Sequence, residues 1–183
     1  REKVNKDNIL NIAKILTNGN HSTLVLGGQA LNESCIELAG RIAAKTGCGI
    51  ITESANSRLS RGAGRVQMLR IPGAGVVDRA IEMLEKAGQL ILVGSKPPVA
   101  FFGYPNKPSL LYKEGSPLYT LVETEEDIYS ALLDLVDELG ATNLEPAYLA
   151  DYNRPEIPKG NITKENLARV IGALLEENTI VVD

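Results

Sequence analysis

Short runs of consecutive apolar residues alternate along this chain with stretches whose apolar residues recur every three or four positions. Thr23 to Leu26, Ile50 with Ile51, and Leu90 to Val93 leave no side chain to face water, a pattern that suits strands buried on both faces. Leu118 to Val122 is a further strand. Around these runs the helical period recurs: Ile9, Ile12, Ala13 and Leu16 share one face of the stretch from Asp7 to Asn18. Asn32 caps a second helix with the stripe Cys35, Ala39, Ile42 and Ala43, and Gly47 stops it. Val76 to Ala87 is a third, buried through Val77, Ala80, Ile81 and Leu84. Thr124 and Asp127 have capping-box spacing ahead of a fourth, with the stripe Ile128, Ala131, Leu132, Leu135 and Leu139. Buried strands joined by amphipathic helices are parallel β/α units, so the expected fold is α/β, an open doubly wound parallel sheet.

From Ala141 to Gly160 the periodicity fades and Pro146, Pro155 and Pro158 appear, the composition of a linker. The expected organisation is one domain over residues 1–145, a linker over 146–162, and one further β/α unit over 163–183. Thr163 caps that unit, Leu167, Val170, Ile171 and Leu174 form its stripe, and Ile180 to Val182 read as its strand. A strand of this kind needs neighbours from elsewhere in a sheet. The chain therefore reads as a piece of a longer protein.

Composition narrows the function classes. Lysine and arginine number 19 against 23 aspartates and glutamates, a formal charge of −4 without long runs of either sign. Nucleic-acid binding, which calls for clustered positive charge, is not expected. No apolar stretch reaches the roughly 20 residues that span a bilayer, and no leader is evident, so the expected setting is cytoplasmic. One histidine, His21, and two cysteines, Cys35 and Cys48, argue against histidine-based metal sites, triads and a disulfide framework. The cysteines are expected to be small buried hydrophobes, and His21 a solvated turn residue.

In doubly wound sheets ligands lie beyond the carboxyl ends of the strands. Gly27 and Gly28 follow the first strand and precede the helix capped by Asn32, where backbone can approach a pyrophosphate. They serve equally as a tight strand-to-helix turn, and neither G-x-G-x-x-G nor a P-loop pattern is present. Arg58, Arg61, Arg65 and Arg70, with Gly62 and Gly64 among them, could clamp phosphate or simply be solvated or paired. Gly94, Ser95 and Lys96 follow the strand ending at Val93 and offer amides and an ammonium. Glu123 ends the strand begun near Leu118 and could accept ribose hydroxyls. Glu125, Glu126 and Asp127 are better explained as charge at a helix N-terminus, a reading equally open to Glu123. Between Pro97 and Pro117 lie five of the nine prolines and both phenylalanines. Phe101 and Phe102 are expected to plug the edge of the core, the other choice being contact with another subunit.

The runs Leu24-Val25-Leu26-Gly27-Gly28-Gln29-Ala30-Leu31, Arg61-Gly62-Ala63-Gly64-Arg65 and Leu90-Ile91-Leu92-Val93-Gly94 resemble the central domain of thiamine-diphosphate-dependent enzymes. Pro98-Val99-Ala100-Phe101-Phe102-Gly103-Tyr104-Pro105 is similar to the acetolactate-synthase-like large subunits, related to benzoylformate decarboxylase. The likeness covers nearly the whole chain, with residues from Ile157 onward resembling the linker and the start of the following pyrophosphate-binding domain. It implies a six-stranded Rossmann-like sheet of the DHS-like NAD/FAD-binding type. It also implies a three-domain parent in which thiamine diphosphate and magnesium sit between a pyrimidine-binding and a pyrophosphate-binding domain. Those two missing domains of the same chain are the implied partners, within a homo-oligomer, commonly a tetramer. The catalytic glutamate and the magnesium-binding motif belong to the missing domains, so this piece is expected to carry no catalytic or metal residue.

Some central domains of the family bind FAD or ADP, and others are empty. By position the resemblance assigns cofactor-binding roles to Gly27, Gly28, Gln29, Arg61, Gly94, Ser95 and Glu123. The G-M-H-G segment of FAD-binding members is missing, and Ile71-Pro72-Gly73-Ala74-Gly75 lies nearby instead. The leading expectation is a scaffold domain of an enzyme making or breaking carbon–carbon bonds next to a 2-oxo acid. The competing one is a stand-alone FAD- or ADP-binding module without catalysis. A stand-alone oxidoreductase fits poorly, since both the dinucleotide fingerprint and an obvious proton donor are missing.

Overall fold

A computed structural model of the chain describes residues 1–182. They fall into two compact units, Arg1–Ala150 and the residues from Asp151 onward.

The first unit is built on five parallel strands: β1 (Ser22–Leu26), β2 (Gly49–Thr52), β3 (Leu69–Arg70), β4 (Gln89–Val93) and β5 (Leu118–Val122). Their order across the sheet is β3-β2-β1-β4-β5. Burial follows that order, because a central strand is covered on both faces and an edge strand is not. Every residue of β1 and β4 is buried, β5 is half-buried over its first three residues, and both residues of β3 are exposed. The expected doubly wound α/β architecture is therefore present, with five strands among the described residues rather than six.

Helices α1 (Lys6–Leu16), α2 (Glu33–Thr46) and α4 (Ile128–Glu138) cover one face, with α4 touching both of the others. The opposite face receives α3 (Val77–Glu85) and the proline-rich segment, through Val77, Ala80, Leu84 and Leu111. The two-sided cover follows from the strand order. The chain moves outward from β1 to β2 and β3 with crossovers on one face, then returns to β4 through α3 on the other, as right-handed crossovers require.

Capping explains where the helices begin. Asn32 accepts the Cys35 N–H at 3.0 Å, and Gly47, at φ +73°, ends α2. At α4 the expected pairing of Thr124 with Asp127 gives way to a different arrangement. Asp127 is itself the cap, accepting from Ser130 N at 3.1 Å and from Ser130 Oγ at 2.8 Å. Asp127 directly precedes the first helical residue, whereas Thr124 lies in a turn whose Glu126 carboxylate takes the Glu123 N–H at 2.7 Å. At the outer edge, Asn8 of α1 donates to the carbonyls of Thr120 and Leu121 at 3.0 and 2.9 Å, tying that helix to β5.

After α4 the chain crosses α2. Pro146 would meet a methyl group on Gly40 at 2.7 Å, and Ala147 N–H donates to Gly40 O at 2.9 Å. Leu149 then bridges Val66, and Tyr148 Oη donates to Cys48 O at 2.9 Å. The second unit holds α5 (Lys164–Leu174), opened by a capping box of Thr163 and Asn166. Arg154 closes its other end by donating to Ala173 O at 3.2 Å and Leu175 O at 2.7 Å. Ile180 to Val182 form no strand, because no described residue pairs with them, and their side chains are exposed.

Candidate functional site

The strand order reverses between β1 and β4, since β1 leads through α2 to β2 on one side while β4 leads to β5 on the other. In sheets of this order the loops leaving two such strands diverge, and ligands are held in the crevice beyond their carboxyl ends. Gly27 and Gly28 leave β1, and Gly94 and Ser95 leave β4.

The two turns are locked together by short bonds. Gly27 N–H donates to Val93 O at 3.1 Å, and Ser95 Oγ donates to Val25 O at 2.8 Å. Gly94 N–H reaches Val122 O at 2.9 Å, extending the ladder to β5. Glycine is required at both crossings. A methyl group on Gly27 would stand 2.7 Å from Ser95 Cβ and 2.6 Å from Glu53 Oε2. Gly94 has φ +59°, and a methyl there would collide with Ile128 and lie 3.2 Å from Gly27 O.

Of the residues singled out in the sequence, Gly27, Gly28, Gln29, Gly94 and Ser95 come together at this crevice. Gly28 and Gln29 are exposed and open a short 3-10 turn, Gly28–Leu31, ahead of α2. Asn32 Nδ2 holds that turn by donating to Gln29 O at 2.7 Å. Ser95 is buried with its hydroxyl committed to Val25, so its side chain has no free donor for a ligand. Lys96 follows it, exposed.

Glu123 lies on the same carboxyl edge, one residue past β5, with an exposed side chain. It stands outside α4, which starts at Ile128. The Glu125 carboxyl sits below its ordinary range because Thr124 donates to it.

Arg61 lies in the irregular segment between β2 and β3, exposed and in no ion pair among the described residues. Its neighbour Arg65 is engaged, pairing with Glu33 at the start of α2 at 3.0 Å. Phe101 and Phe102 do not plug the core: they are 64% and 60% exposed and stack edge-to-face on each other, ring centroids 4.7 Å apart.

Glu53 was not apparent as a site residue in the sequence. It follows the last residue of β2, its N–H donates to Leu26 O at 3.0 Å, and its Oε1 accepts the Gly28 N–H at 3.0 Å. The available signal was an acid directly after the second strand, about where dinucleotide folds carry one.

A separate groove of about 640 Å³ lies against β2 and β3, lined by His21, Met68, Leu69, Met83, Lys86 and Tyr148 among others. Its walls are mostly apolar, and Lys86 is paired with Glu82 at 2.7 Å.

The chain is 34% identical over 172 residues, 94% of its length, to "Putative acetolactate synthase large subunit IlvX" of Mycobacterium tuberculosis (strain ATCC 25618 / H37Rv). The chain spans about a third, 32%, of the length of that relative. The fold also matches "X-ray structure of a putative thiamin diphosphate-dependent enzyme isolated from Mycobacterium smegmatis", with a TM-score of 0.57. That match has 18% identity and covers 84% of this domain and 32% of the solved chain. No family model matches the domain.

Proposed function

We propose that this domain is the central scaffold of a thiamine-diphosphate-dependent enzyme that makes or breaks a carbon–carbon bond beside a 2-oxo acid carbonyl, as an acetolactate-synthase-like protein would. The observation that carries the reading is the 34% identity sustained over 94% of the chain. Thiamine diphosphate, when bound, supplies a stabilised carbanion at the carbonyl carbon. The described residues contain no group of three or more histidine, cysteine, aspartate or glutamate side chains placed to hold a metal ion. The cofactor, its magnesium and the catalytic groups belong, on this reading, to pyrimidine-binding and pyrophosphate-binding domains of the parent chain, as the resemblance to thiamine-diphosphate-dependent enzymes implies. The segment from Thr163 onward, which holds α5, is the start of the pyrophosphate-binding domain, and the parent is a homo-oligomer.

Within the domain, the crevice between the Gly27-Gly28 and Gly94-Ser95 turns takes a nucleotide, FAD or ADP. The support is its place at the switch point of a parallel sheet, with an exposed ammonium at Lys96 on the β4 side.

The test of the parent reaction is consumption of a 2-oxo acid by the full-length protein with and without thiamine diphosphate and magnesium. Turnover that depends on the cofactor supports the reading. Full-length protein that neither binds thiamine diphosphate nor turns over any of a panel of 2-oxo acids contradicts it.

A further inference from the structure

We infer that the apolar groove beside β2 and β3 is a binding site for a small amphiphile, an aliphatic chain that ends in a single carboxylate. The groove lies toward the amino ends of β1 and β2, at the other end of the sheet from the glycine turns, and the inference does not draw on the nucleotide reading.

The groove exists because the α3 side of the sheet is left uncovered at its β3 edge. Ile51 of β2 packs with α3, but its partner across the ladder, Leu69, is 71% exposed. Gly49 lies two residues before Ile51, on the same face, and contributes no side chain to the space beside its own partner Thr23. Met83 and Ala87 form one wall, and Tyr148 forms another. The backbone of Tyr148 has φ +60°, a conformation that a bulky residue rarely adopts. Two bonds hold it there: Gln67 N–H donates to Tyr148 O at 2.8 Å, and Tyr148 Oη donates to Cys48 O at 2.9 Å. Strain of this kind persists where the surroundings over-determine it, and it clusters at ligand sites. The enclosed volume of about 640 Å³ falls within the ~300–1,000 Å³ of small-molecule pockets.

The lining defines the ligand. Both methionines of the chain line the groove, Met68 just ahead of β3 and Met83 on α3. Their unbranched thioethers adapt to a flexible aliphatic body. The polar lining includes Lys86, His21 and Gln67, all exposed, and no aspartate or glutamate lines the groove among the described residues. A cation without a lining acid selects an anionic end. Glu82 takes one Lys86 N–H at 2.7 Å in a solvent-exposed pair, and the ammonium keeps two further donors for a ligand. One ammonium suits a singly charged carboxylate, whereas a phosphate dianion calls for the forked donors of arginine, and no arginine lines the groove.

The experiment labels the methionine methyl groups of the intact chain with carbon-13 and titrates it with decanoate and with decylammonium, followed by NMR. Met68 and Met83 both line the groove, so their methyl signals report on it directly. Both signals are expected to move with decanoate, which should bind at least about tenfold more tightly than decylammonium. Lys86→Gln should weaken decanoate about threefold, the size of an exposed charge contact, without weakening decylammonium. Leu69→Glu alters an exposed position and so spares the fold, and the like charge it sets at the groove should weaken decanoate at least about tenfold. Methionine signals that stay fixed under decanoate overturn the site. Decylammonium binding as tightly as decanoate overturns the choice of a carboxylate, and with it the inference. Signals that move with protein concentration alone show a second copy of the chain in the groove and overturn the inference equally.

Discussion

Ser95, the second residue beyond β4, donates its hydroxyl to the carbonyl of Val25 inside β1, 2.8 Å away. The bond crosses the point where the strand order reverses and holds the two glycine turns in register. Ser95 is 1% exposed, so water cannot replace it. Ser95→Ala should lower stability by about 1–2 kcal/mol in urea unfolding, with the slope of the transition unchanged. An unchanged midpoint would show that the hydroxyl does not fasten the crevice.

Gly94 should be the less forgiving of two glycines. Gly94→Ala places a methyl against Ile128 at a positive φ, and a cost of about 1–3 kcal/mol is expected. Gly73→Ala meets no atom within 4 Å and should stay within about 0.5 kcal/mol. Equal midpoints for the two variants would count against the packing described here.

The acid limb of stability should carry the signature of Asp127. Donation from Ser130 holds its carboxyl below the ordinary value, so the native state favours the ionised form. The resulting stability is fully present above the unfolded value of about 3.9 and is lost as pH falls through the lower folded value. Asp127→Asn should therefore be less stable than wild type at neutral pH, with the gap closing in strong acid. Chemical unfolding at a series of pH values measures the gap, and a constant difference would exclude the ionised cap.

Both thiols should be silent in the native protein. Burial pushes Cys48 up to about 11 and raises Cys35 as well, while both side chains are enclosed by the core. At pH 8 a thiol reagent should label neither quickly, and unfolding in denaturant should release two equivalents. Rapid labelling of the folded protein would place a cysteine at the surface.

Leu90 to Val93 could be read directly as a central strand, because four large apolar residues in succession leave no face for water, and β4 is buried throughout. Leu69–Arg70 gave no such sign. An edge strand of two exposed residues carries neither period nor hydrophobic run, and forms only because β2 offers it a ladder. The glycine turns of the site were visible for a local reason, each directly following a buried strand. Glu53 was not, since its meeting with Gly28 depends on the register of β2 against β1 across 25 residues. Phe101 and Phe102 misled in the other direction: hydrophobicity alone suggested burial, whereas both rings are exposed and stack on each other.

The most direct measurement is thermal unfolding of the 183-residue chain with and without FAD, ADP, NAD and thiamine diphosphate. A ligand at 100 times its Kd should stabilise the fold by ~2.7 kcal/mol, enough to move the midpoint clearly. On the proposed nucleotide reading, FAD or ADP is expected to raise it, with thiamine diphosphate leaving it unchanged. A rise with thiamine diphosphate alone would contradict both assignments.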